Sequence, residues 1–226
     1  MNSPAQPQQL PLVLPHEEAL GADDYLVSQT NKAAFLLVNQ WPEWPSPVIV
    51  LTGPQGAGKT HLVNAWHERS GAAICKAKDL TEAKVAELVA NGPVAIEDLH
   101  HGFDERAVFH LFNAVRQIGS FMLMTTRTPP ASFELQVPDL VSRFRAATPV
   151  EVQEPDDMLL RLVMTKLFAD RQVVVDPTLI DFLVVRIERS LSAVQNVVEA
   201  LDRQALANGT KISRVMAARL LENLGE

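Results

Sequence analysis

An α/β domain with a parallel sheet, followed by a small all-helical domain, is the fold class that this sequence predicts. Short apolar runs of the kind found in buried strands recur between residues 48 and 124, and helical apolar spacing lies between them. A glycine-rich turn follows the first run directly. Beyond residue 153 the strand signals fade and only helical spacing remains. These three observations fix the order of the two parts.

In the N-terminal part, the sequence predicts a tail followed by one helix. Gln and Pro repeat within residues 1–22 around a short apolar run that is too small to build a core, so we expect a flexible tail there. Residues 31–41 carry apolar side chains at helical spacing. Three prolines between residues 42 and 47 then prevent the helix from continuing.

Three apolar runs predict parallel strands, at residues 48–52, 94–96 and 121–124. Between the second and third runs, apolar residues recur at helical spacing at Val108, Leu111, Phe112 and Val115. The alternation of strand and helix is typical of a parallel α/β sheet. We assign this nucleotide-binding α/β domain to residues 23–153.

Residues 154–226 are predicted to form a helical lid domain. The motif Glu154-Pro155-Asp156 is the expected hinge or helix start. Three sets of apolar residues at helical spacing follow it: Leu159, Leu162, Val163 and Leu167; Leu191, Val194, Val198 and Leu201; and Val215, Met216, Leu220 and Leu221.

The composition limits the classes of function. A length of 226 residues with 47% hydrophobic residues is enough for a sizeable core, and a formal net charge of −7 provides no basic footprint for a nucleic-acid backbone. We therefore expect no direct sequence-specific DNA binding.

The one cysteine, Cys75, can form no intrachain disulfide, and no stretch is apolar enough for a membrane span or a signal peptide. We expect a cytoplasmic protein without a membrane anchor.

A phosphate-binding loop is the most specific motif of the chain. Residues 53–60 read G-P-Q-G-A-G-K-T and match G-x-x-x-x-G-K-[ST] without a mismatch, between a predicted strand and a predicted helix. Its glycines let backbone N–H groups turn toward an anion, and the helix adds the positive end of its dipole. Lys59 would reach the β and γ phosphates, and the Thr60 hydroxyl would ligate Mg²⁺. A glycine-rich turn that binds nothing is the alternative.

The candidate nucleotide-binding positions in this segment are Gly53, Gly56, Ala57, Gly58, Lys59, Thr60 and His61. For His61, a residue of the helix surface or of the packing is the favoured alternative. Thr125 joins the set as a polar group at the tip of a later strand.

Two carboxylates follow the second predicted strand. Glu97 stands where a Mg²⁺ ligand is expected, and Asp98 stands where a carboxylate would polarise the attacking water. The usual pattern has Asp first, so the longer Glu97 side chain predicts a shifted metal or weak hydrolysis. Solvated side chains at a strand end are the alternative. The adjacent His100 and His101 lack a spaced ligand cluster and do not predict a metal site.

The segments GPQGAGKTHLVNAW, PVAIEDLH, LMTTRTPP and VPDLVSRF occur here in the order found in the bacterial replication initiator DnaA and its shorter relatives. From about residue 24 onward the sequence resembles these AAA+ proteins, and it is most similar to the Hda family, the regulatory inactivators of the initiator. The end at Glu226 leaves no room for the initiator's helix-turn-helix domain. The short spacing before Glu97 leaves none for its extra helices for single-stranded origin DNA. Both features favour the inactivator.

This resemblance implies a negative regulator of replication initiation. Such a protein holds ADP or ATP with Mg²⁺, hydrolyses it weakly or not at all, docks on the DNA-loaded sliding clamp (the polymerase β subunit) and stimulates ATP hydrolysis by DnaA. Arg143 in D-L-V-S-R-F matches the arginine finger that reaches the neighbouring molecule's nucleotide. Arg145, or a purely structural ion pair, is the alternative. Homodimer formation stays open.

The tail matches the family's clamp-binding peptide, in the form Q-L-x-L-x-L, at Gln9, Leu10, Leu12 and Leu14. A tethered apolar segment can fill a pocket on a partner and raise the local concentration of its domain. Packing onto the protein's own surface, or plain low complexity, is the alternative.

Two positions depart from the family pattern. At the position called sensor 1, near Arg127, the family commonly has an Asp, which this sequence lacks. At the position called sensor 2, Ser192 stands in place of the lid arginine, and Arg189 lies one turn earlier.

The rival functions are a stand-alone ATPase that uses Glu97 and Asp98, and a loader that remodels a protein or nucleic-acid complex.

Overall fold

The computed structural model describes residues 25–224. Within that range five strands form one sheet: β1 Val48–Thr52, β2 Ala73–Lys76, β3 Val94–Glu97, β4 Met122–Thr126 and β5 Thr148–Glu151. The strand order is β2-β3-β4-β1-β5, and every neighbouring pair is parallel. The predicted parallel α/β sheet is confirmed.

The α-helices of the described range are α1 Lys32–Asn39, α2 Lys59–Ser70, α3 Glu82–Val89, α4 Glu105–Gln117, α5 Pro138–Ala146, α6 Asp157–Asp170, α7 Pro177–Val184, α8 Leu191–Asn208 and α9 Arg214–Leu224. From α6 to α9 the described chain contains helices and no strand, as predicted. None of the helices that the structure describes is long and apolar enough to cross a membrane.

Both faces of the sheet are covered, because successive side chains of a strand point to opposite faces. In β1, Ile49 and Leu51 pack with Trp66 of α2 in one apolar cluster, whereas Val50 packs with Leu111 of α4 in another. All five residues of β1 are buried. A central strand buried on both faces explains why this segment is a continuous apolar run.

The pattern of apolar runs does not predict two of the strands, because both lie at sheet edges. In β2 and β5, side chains alternate between partly buried and exposed, so neither forms an apolar run. Pro149 argues against a strand in the sheet interior, but an edge strand tolerates it because one side needs no ladder hydrogen bond. The β4 strand also extends two residues further than predicted, to Thr126, in register with Thr52 of β1.

The helices α6 to α9, called the C-terminal helices below, enclose an apolar cluster of their own, which includes Leu160, Phe168 and Leu201. Leu162 and Val215, which fit the predicted helical spacing, point outward instead and are 39% and 64% exposed. The division into residues 1–22, 23–153 and 154–226 stays a prediction, and the tail lies outside the described residues.

Candidate nucleotide-binding site

The candidate site lies at the carboxyl ends of β3, β4 and β1, which are neighbours in the parallel sheet. Parallel strands bring their carboxyl ends to one edge, where α/β proteins commonly bind ligands. The phosphate loop follows β1, Asp98 follows β3, and Arg127 follows β4. Residues that are far apart in the sequence therefore meet around one cavity.

Two glycines of the loop occupy positions where no side chain fits. Gly53 has φ +150°, and a Cβ there would lie 2.0 Å from the carbonyl oxygen of Val152. Gly56 has φ +71°, and its Cβ would lie 2.5 Å from Cβ of Ser190. The backbone N–H of Leu191 also donates to the Gly56 carbonyl at 2.8 Å. The loop is thus in direct contact with the start of α8.

Lys59 is held along the loop in an orientation suited to phosphate. The side chain is buried, and its Nζ donates to the carbonyl oxygens of Gly53 and Pro54, both at 2.7 Å. Burial, together with the Arg127 guanidinium, lowers the pKa of Lys59, while the nearby Asp98 and Glu97 carboxylates raise it. The ammonium group is therefore preorganised, and an anion would compensate its desolvation.

Thr60 and Glu97 are joined directly across the site. The Thr60 hydroxyl donates to Oε1 of Glu97 at 2.7 Å, and Glu97 is buried at the end of β3. Two oxygen ligands next to a phosphate loop fit Mg²⁺, which usually combines one or two carboxylates with water and substrate phosphates. In the described range no three His, Cys, Asp or Glu side chains form a metal cage by themselves.

Asp98 has a left-handed backbone, with φ 64° and ψ 43°, a conformation that few residues other than glycine adopt. Its N–H donates to the Thr125 hydroxyl oxygen at 2.9 Å. Thr125 is almost fully buried at the tip of β4. The described contact of Thr125 is therefore with the backbone that carries Asp98, and this bond helps to hold the Asp98 carboxylate at the cavity.

The cavity has a volume of about 510 Å³ and is lined both by the loop and by the C-terminal helices. The loop and the sheet edge contribute Gln55, Gly56, Gly58, Lys59, Thr60, His61, Asp98, His100, His101 and Arg127. From α6, α8 and the segment between them come Val163, Lys166, Leu167, Asp170, Arg171, Leu191, Ser192 and Gln195. Tyr25 and Leu26 complete the wall.

Tyr25 lines this cavity and packs against two other rings. The ring stacks on Phe35 with a centroid distance of 5.3 Å and meets His61 edge-on at 5.1 Å. Its hydroxyl is buried and has no hydrogen-bond partner within 3.5 Å in the described structure. Burial raises the pKa of Tyr25, and the nearby Asn31 side chain partly opposes this effect. A buried polar group costs free energy when it has no partner. We therefore expect this hydroxyl to bond a polar group of a ligand only if binding exposes it to the cavity.

The two histidines after Asp98 lie together at the cavity. The His100 and His101 ring centroids are 4.1 Å apart, and neither nitrogen of His100 has a hydrogen-bond partner among the described residues. Burial, then the positive charges of Arg127 and His101, lower the pKa of His100. A pair of rings without further ligands does not make a metal site.

The remaining predicted positions divide between the cavity and the rest of the protein. Ala57 is buried in the apolar cluster beneath the loop. Ser192 lines the cavity at the place of the lid arginine, whereas Arg189 is not among the lining residues and pairs with Asp157 at 2.8 Å. Arg189 therefore does not substitute for the lid arginine in this structure.

Arg143 lies on α5, outside the cavity of its own chain. The side chain is partly buried, and its Nη2 donates to Oδ1 of Asn113 on α4 at 2.7 Å. Arg145 is exposed and lines a separate apolar cleft of about 250 Å³ beside Phe144. The proposed clamp-binding residues Gln9, Leu10, Leu12 and Leu14 lie outside the described residues.

Several side chains that line the cavity were missed by sequence reasoning, among them Tyr25, Arg171 and Arg127. Tyr25 lies in the segment before α1 and carries no motif. Arg171, after α6, donates to the Leu167 carbonyl at 3.1 Å and lies 3.9 Å from Asp202. Arg127 directly follows β4, and the rule that sites form at carboxyl strand ends could have identified it.

No protein-family model matches this chain. The DnaA 2 initiator of Chlamydia caviae is 23% identical, over 80% of this chain and 45% of its own length. The DnaA initiator of Cutibacterium acnes is 20% identical, over 89% of this chain and 46% of its own length. The chain spans about half the length of the curated relatives it matches.

Solved structures share the fold at low sequence identity. Domain III of Thermotoga maritima DnaA has a TM-score of 0.73 at 16% identity, covering 93% of this chain and 98% of that one. Aquifex aeolicus DnaA bound to AMPPCP gives 0.66 at 18% identity, covering 81% of this chain and 65% of that one. The Holliday-junction motor RuvB of T. maritima gives 0.71 at 14% identity, covering 88% of this chain and 70% of that one.

The likeness of fold thus extends to proteins with different tasks, whereas the curated sequence relatives are replication initiators. Between residues 25 and 224 the chain has the AAA+ P-loop NTPase fold, and its sequence is related to that of DnaA.

Proposed function

We propose that this protein is a nucleotide-dependent negative regulator of replication initiation, which binds ADP or ATP and stimulates ATP hydrolysis by the initiator DnaA. The observation that carries the nucleotide part is the preorganised loop, in which Lys59 and Thr60 are already held at the sheet edge. The sequence relation to DnaA supports the connection with replication initiation.

The nucleotide would lie in the cavity between the loop and the C-terminal helices. Lys59 and the loop N–H groups would bind its phosphates, and Thr60 with Glu97 would hold Mg²⁺, which supplies charge neutralisation at the phosphates. Thr125 would hold Asp98 in place. An adenine nucleotide is favoured because a related solved structure, Aquifex aeolicus DnaA, holds AMPPCP.

Arg143 would act on the nucleotide of a partner rather than on that of its own chain. It does not line its own cavity, is partly buried, and bonds to Asn113 on the neighbouring α4. Asn113 is a neutral partner, so the positive charge of Arg143 is not cancelled by this contact. A permanently charged, planar group can contact two oxygens of a phosphate during hydrolysis.

Residues 1–22 would tether the protein to the sliding clamp on DNA through Gln9, Leu10, Leu12 and Leu14. The tether would raise the concentration of Arg143 near a clamp-associated initiator. In this proposal the protein is cytoplasmic, and residues 23–153 and 154–226 form its nucleotide domain and lid.

A stand-alone ATPase or loader is the second candidate, and one observation favours it. Asp98, Thr60 and Lys59 all line the protein's own cavity, so the groups needed for hydrolysis converge within one chain. Turnover by the purified protein alone, lost in Asp98→Asn, would support this candidate.

The decisive assay measures ATP hydrolysis by the cognate initiator in the presence of clamp-loaded DNA and this protein. Arg143→Ala should abolish the stimulation, since an arginine finger contributes on the order of 10³-fold to the rate in related systems. Arg189→Ala, which removes a surface arginine paired with Asp157, is the matched control and should keep it. Stimulation that survives Arg143→Ala would refute the role of Arg143 on the nucleotide of a partner.

A clamp-binding assay tests the tether. If the double variant Gln9→Ala, Leu12→Ala still binds the clamp, the tether is refuted.

A further inference from the structure

We infer that residues 10–18 of this chain dock in the apolar cleft beside α5 of the same chain, and so cover the proposed clamp-binding residues until the clamp competes for them. Docking itself goes beyond the proposed function, whereas the competition with the clamp rests on it. The cleft, called the α5 cleft below, has a volume of about 250 Å³, and its lining includes Pro129, Phe133, Leu135, Val141, Arg145 and Pro149.

The α5 cleft has the size and chemistry of a site for single apolar side chains. Small-molecule sites usually have about 300–1,000 Å³, so this cleft is too small for a cofactor. Pro, Phe, Leu and Val side chains form most of its lining. Pro129 and Pro149 are exposed, and Phe133 and Val141 are only partly buried, so the cleft opens to the surface. It suits an extended segment that inserts one or two apolar side chains.

Arg145 adds an uncompensated positive charge to this apolar lining. Of the described residues that line the cleft, only Arg145 is charged. Its side chain is exposed, and between residues 25 and 224 it makes neither an ion pair nor a side-chain hydrogen bond. A carboxylate can accept two parallel bonds from a guanidinium. An apolar segment that is followed by acidic residues would therefore complement the cleft.

Residues 10–18 carry side chains in this order. Residues 10–14 read L-P-L-V-L, and Glu17 and Glu18 follow. The first carboxylate comes three residues after the last leucine, which is about 10 Å along an extended chain. Pro11 and Pro15 restrict the backbone and so reduce the conformational entropy that docking costs. The segment thus matches both the apolar walls and the charge of the cleft.

The described chain begins within reach of the α5 cleft. The backbone N–H of Gln153 donates to the Thr30 carbonyl at 3.0 Å, so the start of the described chain passes beside the end of β5. Pro149 of the cleft lies four residues before Gln153, about 13 Å along an extended strand. Leu14 lies eleven residues before Tyr25, and such a length spans up to about 36 Å. This is sufficient for Leu14 to reach the cleft.

Attachment to the same chain makes weak docking sufficient. A short tether gives an effective concentration in the millimolar range, so a segment whose Kd for the cleft is about 0.1 mM is docked in about nine molecules of ten. The clamp binds only the undocked fraction, and its apparent affinity falls by that fraction. The docked segment therefore lowers clamp affinity about tenfold.

The docked segment would also lie against the helix that carries the proposed arginine finger. Val141 and Arg145, which line the cleft, stand on either side of Arg143 along α5. When the clamp takes the segment, this part of α5 becomes free to meet an initiator. Clamp binding and exposure of α5 are then one event.

Cysteine cross-linking in the full-length protein tests the docking itself. In a Cys75→Ala background, Leu14→Cys and Ala131→Cys place one thiol in the segment and one at the exposed rim of the cleft. A short bismaleimide should join them within one chain, and mass spectrometry distinguishes this product from a link between two chains. Leu14→Cys with Ala207→Cys, an exposed position of α8, is the matched control and should give much less product.

Clamp binding by the full-length protein tests the competition. Arg145→Glu should raise clamp affinity about two- to fivefold, which corresponds to the loss of one exposed ion pair. Arg219→Glu makes the same change of charge at an exposed position of α9 and should leave clamp affinity unchanged. Arg145→Glu should also weaken the cross-link, and adding Glu17→Arg and Glu18→Arg should restore it.

The outcomes separate this inference from the proposed function. A missing cross-link, or one that forms only between two chains, refutes docking on the same chain. Unchanged clamp affinity in Arg145→Glu refutes the competition. A cross-link within one chain in a protein that does not bind the clamp supports the docking and refutes the proposed tether.

Discussion

The contact between Gly56 and Ser190 joins the phosphate loop to the C-terminal helices, and Gly56→Ala tests its importance. The new Cβ would lie 2.5 Å from Cβ of Ser190, far inside van der Waals contact, at a φ of +71°. A left-handed conformation costs a non-glycine residue about 1–2 kcal/mol. The steric conflict would also separate the loop from α8 and break the Leu191 N–H to Gly56 carbonyl bond, which contributes about 1 kcal/mol.

The expected loss in the free energy of unfolding for Gly56→Ala is therefore about 2–3 kcal/mol, measured by urea denaturation. Gly209→Ala is the matched control, because Gly209 has φ +60° and open space around its Cβ position. It should show the backbone cost alone, about 1–2 kcal/mol. Nucleotide affinity should fall in Gly56→Ala and stay unchanged in Gly209→Ala.

A second substitution separates the steric part from the backbone part. Ser190→Gly removes the Cβ that the methyl group introduced by Gly56→Ala would meet, and glycine at this N-cap should cost only a few tenths of a kcal/mol. The double variant should therefore recover about 1 kcal/mol relative to simple addition. If Gly56→Ala matches Gly209→Ala in stability, or if Ser190→Gly restores nothing, the loop and α8 are not coupled through this contact.

Two further predictions concern the cavity. In thermal unfolding, the free Tyr25→Phe protein should be as stable as the wild type or more stable by about 1 kcal/mol. The reason is that a buried hydroxyl without a hydrogen bond is removed, while the stack on Phe35 remains. The nucleotide affinity of this variant should nevertheless fall several-fold. A loss of stability with unchanged affinity would contradict this. In the free protein, burial, Arg127 and His101 lower the pKa of His100, and polyphosphate binding should raise it. Binding then takes up a proton. Nucleotide affinity should therefore increase as pH falls through the pKa of the bound state, and it should level off below the pKa of the free state. Calorimetry across pH on wild type and His100→Gln checks this, and identical pH profiles would argue against it.

Much of the fold could be predicted because its signals are local. A strand that is buried on both faces must be a continuous apolar run, so β1 and β3 are evident at Val48–Thr52 and Val94–Glu97. The edge strands β2 and β5 have one open side and alternate in burial, and Pro149 adds a misleading signal. Their strand character depends on neighbours that the sequence alone does not identify.

The candidate site likewise has a part that could be predicted from the sequence and a part that could not. The loop G-P-Q-G-A-G-K-T acts through contiguous residues, so its glycines, Lys59 and Thr60 are readable directly. The contact of Thr125 with the nucleotide stays a prediction, and the structure adds that its hydroxyl accepts a bond from the backbone N–H of Asp98. That bond could not be predicted, because it depends on the pairing of β3 with β4 and on the left-handed backbone of Asp98.

By itself, then, the sequence determined the phosphate loop, the alternation of strands and helices, and the helical character of the C-terminal part. Tertiary structure alone decided that Tyr25 and Arg127 meet at one cavity, that Ser190 covers Gly56, and that Arg143 lies outside the cavity of its own chain. The physical reason is one of range. Local motifs follow from backbone freedom and side-chain spacing within a few residues, whereas these contacts arise only when the sheet and the C-terminal helices pack together.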